Sequence, residues 1–196
     1  NFERRSAGHM LLLVASLASY LAYMVLINDL FDMSYDKLAG KKRSIFYLPK
    51  SLIYTLISAL VSLSYAVAIV LVVEPLFLSV LTIAYLLGTF YSAPPLRFKE
   101  KSFIGVLIDA LMEKTLPAAL VFLYFNYFSL DAWFFIALCF LLQIDIIIRH
   151  QVEDYKADLQ TNIKTFVGWI GTSRALRTLN TYLRPLTAFI ILIFSL

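Results

Sequence analysis

The chain has 196 residues, 61% hydrophobic and 15% charged, with a formal net charge of +4 and a mean hydropathy of +0.80. A soluble domain is about half apolar and about a quarter charged, so this balance excludes an ordinary soluble fold. The single cysteine, Cys139, excludes a disulfide framework within the chain.

Six apolar stretches follow in order: His9–Ile27, Leu52–Val73, Leu76–Tyr91, Ile104–Tyr124, Ala132–Ile148 and Leu186–Leu196. Most approach the ~17–25 residues that a spanning helix needs, although the third is short and the last incomplete. Their unbroken apolar character lacks the alternation of a membrane β-barrel. The expected fold is therefore all-α, a polytopic transmembrane helical bundle with about six visible spans. The 16 Phe and 12 Tyr suit interfacial belts or the lining of a pocket.

The connections differ sharply in charge. Glu74-Pro75 and Phe125–Asp131 contain no lysine or arginine. Asp36–Lys50, Ser92–Phe103 and Arg149–Arg184 hold 14 of the 17 basic residues. The positive-inside rule makes their side cytoplasmic, and a prokaryotic plasma membrane is the expected location; Arg4 and Arg5 are the exception. Pro94-Pro95 breaks any helix in the second basic connection. In the third, Thr172-Ser173 after Gly171 reads as a capped helix start. Residues 1–196 read as one domain, incomplete at one or both ends, since Asn1 is no initiator and the last apolar stretch is short.

Two acidic strings carry the chemistry. In Asn28-Asp29-Leu30-Phe31-Asp32-Met33-Ser34-Tyr35-Asp36, residues 28, 32 and 36 fall on one helical face with Asp29 beside them. Carboxylates this close repel one another unless a cation sits among them, and all-oxygen donors suit a hard ion such as Mg2+. In Glu153-Asp154-Tyr155-Lys156-Ala157-Asp158, Asp154 and Asp158 are again one turn apart. Taken alone, the second string reads better as a solvated helix end, whereas the first follows an uninterrupted apolar helix and favours a site. Both, however, close an outward-to-inward span, so they open on the same cytoplasmic face.

The string NDLFDMSYD resembles the NDxxDxxxD signature of the UbiA superfamily of intramembrane prenyltransferases, and DYKAD resembles its DxxxD motif. Between them, residues 91–99, YSAPPLRFK, are similar to the family's YSxPPLRxK loop. The resemblance implies a bundle of about nine helices around a cavity, with the motifs over its cytoplasmic mouth. It implies a Mg2+-dependent enzyme transferring a prenyl group from an allylic prenyl diphosphate to a lipophilic or aromatic acceptor. One Mg2+ would be held by Asn28, Asp32 and Asp36 with Asp29 adjacent, and a second by Asp154 and Asp158; Asp32, Asp36, Asp154 and Asp158 would be catalytic. Lys41, Lys42, Arg43, Arg97, Lys99, Arg149 and Lys164 are the candidates to grip diphosphate, as good phosphate partners. Two positions depart from family patterns. Pro95 stands where some branches have a lysine, and Asn162 where many have a glycine.

Ionisable residues inside spans are costly and usually face a cavity. Asp109 and Asp145 are therefore expected around the substrate, or else Asp145 pairs with Arg149 and Asp109 with Glu113 through a shared proton or with Lys114; Tyr91 and Tyr155 are expected as aromatic walls of the substrate pocket. The expected partners are a prenyl diphosphate, a small lipophilic acceptor and membrane lipid, with neither nucleic acid nor an obligate protein partner. The same metal logic serves phosphoribosyl transfer to a polyprenyl phosphate or terpene cyclisation. A non-catalytic cation transporter is the remaining alternative, although its site would be expected nearer mid-membrane.

Overall fold

The structure is a computed structural model that describes residues 7–71 and 74–194. Arg4, Arg5, Val72 and Val73 at the end of the second apolar stretch, and the last two residues of the sixth, lie outside that description. The chain forms α1 (Ala7–Leu38), α2 (Lys50–Leu71), α3 (Pro75–Ser92), α4 (Phe103–Ala110), α5 (Leu116–Phe125), α6 (Leu130–Thr161), α7 (Phe166–Ile170), α8 (Thr172–Thr178) and α9 (Arg184–Phe194). A π turn, Leu111–Thr115, joins α4 to α5, and a second, Leu179–Leu183, joins α8 to α9. Each of these pairs is thus one crossing with a local irregularity.

Among the described residues, α1, α2, α3 and α6 are unbroken helices long and apolar enough to cross a bilayer. Large apolar side chains stand exposed along them, including Leu11 and Val25 on α1, Val70 on α2, Leu86 on α3 and Trp133 on α6. A soluble surface does not carry apolar exposure on this scale; the chain is an integral membrane protein.

The third basic connection differs from the expectation in two respects. Arg149–Arg184 is largely helical rather than a loop: α6 continues to Thr161, and the last crossing begins at Thr172. Arg149 and Arg184 are therefore helical residues, and Arg184 lies a π turn beyond α8. The last crossing is also not capped by a hydroxyl. Its N-cap is Gly171, at φ +85 and without a side-chain hydrogen bond.

Packing divides the bundle in two. Tyr20, Tyr23 and Met24 of α1, Phe77, Leu81 and Tyr85 of α3, and Leu120 and Tyr124 of α5 share one buried cluster, with Ala68 of α2. Val106 and Ala110 of α4, Ile144, Ile147 and Ile148 of α6, Val167 of α7 and Ala175 of α8 share the other. The fourth crossing belongs to both, α5 to the first cluster and α4 to the second. Between α1 and α2, Ser16 Oγ donates to the Ser64 carbonyl at 3.0 Å and Ser64 Oγ to the Ser16 carbonyl at 3.1 Å. Small residues at such a crossing let the helices approach closely.

The π turn has a local cause. Leu116 N donates to Leu111 O, one residue further back than in an α-helix. In that register the next donor, for the Met112 carbonyl, would be Pro117, which has no N–H. Tyr20 of α1 supplies it instead, its hydroxyl donating to Met112 O at 2.7 Å. Tyr20→Phe leaves that buried carbonyl without a donor, which costs about 1–3 kcal/mol. The variant in detergent should unfold at a measurably lower temperature; an unchanged midpoint would show that the hydroxyl does not support the turn.

Candidate active site

Between the two clusters lies a cavity of about 520 Å3, lined by α1, α3, the fourth crossing, α6 and the segments that follow α1, α3 and α6. Asn28, Asp29, Asp32 and Asp36 face it from α1, and Asp154 and Asp158 from the end of α6. Lys41, Arg43, Lys99, Tyr91 and Asp109 complete the predicted residues on its wall. The two acidic strings, more than a hundred residues apart in the chain, thus share one chamber.

The segment after α1 ties them together. Lys41 Nζ lies 2.7 Å from Asp154 Oδ2 and 3.8 Å from Asp36 Oδ1. Arg43 Nε reaches Asp36 Oδ2 at 3.3 Å. The chain turns into this position at Gly40, whose φ of +70 is a conformation that favours glycine.

The proline-rich segment after α3 supplies the other two cations. Arg97 Nη2 lies 3.1 Å from Asp32 Oδ1, and Lys99 pairs with the same oxygen. Arg97 is fixed on three further sides: it pairs with Glu100, donates to the Ser92 carbonyl at 2.9 Å, and covers the Tyr35 ring at 4.6 Å. Ser92 Oγ donates in turn to Asn28 Oδ1 at 2.6 Å. Burial pulls the Lys99 ammonium below its ordinary pKa, and the Asp32 charge partly offsets that pull.

At the end of α6, Thr165 Oγ1 donates to Asp158 Oδ2 at 3.2 Å and accepts from Gly168 N at 3.1 Å, so the N-cap of α7 also anchors a motif carboxylate. Asn162 ends α6 at φ 56. Asparagine is the residue after glycine best suited to that left-handed turn, so Asn162 fits the position. A parallel bridge between Ser102 and Thr165 joins this turn to the proline-rich segment.

The remaining predicted residues lie apart from the chamber. Lys42 is exposed in the α1–α2 connection. Asp145 pairs with Arg149 Nη2 at 2.6 Å and with Arg184 Nε at 2.9 Å, toward the last crossing. Lys164 lines a neighbouring cavity with Lys101 and Trp169. Tyr155 packs beside the second cluster. Conversely, Tyr35, Ser92, Gln151 and Thr165 hold or line the site without having been singled out. Thr165 carried a readable signal, a hydroxyl just before the apolar start of a helix. The other three are visible only once the helices are placed.

Among the described residues, no group of three acidic, histidine or cysteine side chains converges as a ready metal cage. Asp32, Asp36 and Asp154 are instead each engaged by a cation. The donors available to a metal are carboxylate and amide oxygens on two facing walls, a set suited to a hard cation that also uses water and phosphate oxygens.

The UbiA prenyltransferase family matches residues 3–196, and the chain belongs to that family. A lycopene elongase/hydratase of Corynebacterium glutamicum is 33% identical over 180 residues, covering 84% of this chain and 59% of the relative. The chain therefore spans about three-fifths of that curated relative's length. Solved structures of a UbiA homolog from Archaeoglobus fulgidus share the fold. The form bound to GPP and Mg2+ has a TM-score of 0.80 at 24% identity, with 97% of this chain and 67% of that one covered. The form bound to DMAPP and Mg2+ has a TM-score of 0.78 at 25% identity, with coverage of 95% and 66%.

Gly105 keeps the cation-bearing segment seated on α4. A Cβ there would stand 2.6 Å from Phe98 O and 3.0 Å from Lys99 Cα. Gly105→Ala forces backbone to move and should cost about 1–3 kcal/mol, read as a lower unfolding temperature. An unperturbed Gly105→Ala protein would show that the segment does not need this close approach.

Proposed function

We propose that the protein transfers a prenyl group from an allylic prenyl diphosphate to a lipophilic acceptor within the membrane, with Mg2+ at the two aspartate motifs. The carrying observation is Lys41, whose one ammonium reaches both Asp36 and Asp154. Facing motifs this close can be spanned by a single diphosphate. The relatives bound to GPP or DMAPP with Mg2+ support the same reading.

In this reading Asn28, Asp32 and Asp36, with Asp29 beside them, hold metal on one wall, and Asp154 and Asp158 hold it on the other. Mg2+ supplies positive charge that stabilises the departing pyrophosphate. Lys41, Arg43, Arg97 and Lys99 exchange their carboxylates for diphosphate oxygens when substrate and metal arrive together. Their charge is then already in place for the charge that develops as the C–O bond breaks. Arg97 needs little reordering, because Tyr35, Ser92 and Glu100 already hold it. The chamber below is lined by Leu21, Met24, Val25, Met112 and Ile147, with the Tyr91 ring on its wall. Such a lining shields an allylic cation from water, and an aromatic face attracts it.

The diphosphate end opens to the side bearing the basic connections, which we assign to the cytoplasm of a prokaryotic cell. The lycopene elongase/hydratase relative makes a polyene the first acceptor to try. Aromatic and other lipophilic acceptors fit the same donor chemistry, and so do the alternative reactions of the superfamily.

Asp32→Ala and Asp154→Ala should each lower Mg2+-dependent pyrophosphate release from DMAPP or GPP by about a hundredfold or more. Lys41→Met, which removes one charged hydrogen-bond partner, should lower it by about ten- to a hundredfold. Coupled phosphate detection on enriched membranes reads all three. Wild-type rates in the aspartate variants would sink the proposal, as would Mg2+ flux into liposomes with no pyrophosphate released.

A further inference from the structure

The cavity contains a second acidic group that diphosphate binding leaves unused. Asp109 stands on α4 and Glu113 on the π turn, roughly 9 and 15 Å along the fourth crossing from Phe103 at ~1.5 Å per residue. Both line the same chamber as Asp32 and Asp154. Gln143 of α6 joins them, its Nε2 donating to Asp109 Oδ1 at 2.8 Å and to Glu113 Oε2 at 2.5 Å. Asp109 and Gln143 are 3% and 1% exposed, while Glu113 is open.

The charge around this pair differs from that at the motifs. Lys41, Arg43, Arg97 and Lys99 all stand on motif aspartates, and among the described residues neither Asp109 nor Glu113 forms an ion pair. Two carboxylates bridged by one neutral amide inside a membrane crossing cannot both stay charged at low cost. A pair of carboxylates with no cation beside it is chemically suited to accept a proton. Beside the two carboxylates, the buried Gln143 Oε1 has no hydrogen-bond donor among the described residues. Buried carbonyls are rarely left so.

Resting on the prenyl-transfer reading above, we propose that the Asp109–Glu113 pair is the proton acceptor that ends the reaction. The C–O bond of the prenyl diphosphate breaks, with its electron pair leaving on pyrophosphate. The allylic carbon then bonds to the π electrons of an alkene or aromatic acceptor, which places the positive charge on the acceptor. A neighbouring C–H bond gives its electrons to a new double bond and its proton to the carboxylate pair, which later releases it to water through the cavity mouth. When no acceptor is bound, the same pair deprotonates the allylic cation itself and yields a hydrocarbon rather than an alcohol.

The test needs no knowledge of the acceptor. The full-length protein in membranes is given GPP and Mg2+ alone. Pyrophosphate is measured beside the ratio of C10 hydrocarbons to C10 alcohols by gas chromatography. Wild type should form hydrocarbons. In Asp109→Asn and Glu113→Gln the hydrocarbon yield per pyrophosphate released should fall at least about tenfold, with alcohol in its place. An unchanged hydrocarbon fraction in both variants overturns the proposal, as does a wild type that makes alcohols only. A fall of pyrophosphate and hydrocarbon in parallel overturns it too, because the pair would then only brace the fourth crossing against α6. A wild type that releases no pyrophosphate at all defeats the prenyl-transfer reading itself and this inference with it. Should either variant fail to fold, wild type treated with dicyclohexylcarbodiimide, which modifies protonated carboxyls in membranes, gives an independent reading. One equivalent on the peptide bearing Asp109 and Glu113, with hydrocarbons lost and pyrophosphate release kept, upholds the proposal; no label there overturns it.

Discussion

The site depends on charge compensation between helix ends. Asp32 and Asp36 close α1, Asp154 and Asp158 close α6, and four such carboxylates around one chamber repel one another in any low-dielectric setting. Cations from two connecting segments relieve that repulsion. Lys41 and Arg43 come from the chain after α1, and Arg97 and Lys99 from the chain after α3. The segments are short and shaped for the purpose, one by Gly40 and the other by Pro94-Pro95 and the left-handed Arg97 at φ 41. Without these pairs, opposed acidic helix ends would push apart and the cavity between them would lose its mouth.

The same arrangement explains why acids and bases are matched before any ligand arrives. A diphosphate with its metal carries both signs of charge. A site built from both signs can exchange partners with it without ever exposing an uncompensated buried ion. Lys99 illustrates the point: burial works against its charge, and Asp32 restores part of what burial removes. The ammonium is thereby kept on the chamber wall, where the proposed reading makes it available to a diphosphate oxygen.

Much of this was legible in the sequence, and the reason is local periodicity. Apolar runs of spanning length can only be helices in lipid, so the all-α bundle followed from composition. Spacing of four put Asp32 with Asp36 and Asp154 with Asp158, and the lopsided distribution of lysine and arginine put both motifs at one end. What was not legible was which cation meets which acid. The Asp145–Arg149 pair was one of two readings that their i,i+4 spacing allowed, and the structure chooses it; Lys164, as basic as Lys41, lines another cavity instead. Those choices follow from helix phase and from where α6 ends, at Thr161. The π turn was hidden as well, since it arises from Pro117 together with a tyrosine almost a hundred residues away.

That turn makes the fourth crossing a shared beam between two packing units, its first half fastened to α6 and its second to α3 and the rest of the first cluster. An over-wide turn is the compliant point of such a beam, because its hydrogen-bond ladder is already interrupted there. Any widening of the gap between the units would therefore act first on the crossing at Met112 and Glu113. The width of the chamber and the position of the acids on its floor are then one mechanical variable. A guest that fits too loosely would find the carboxylates out of reach as well as the walls.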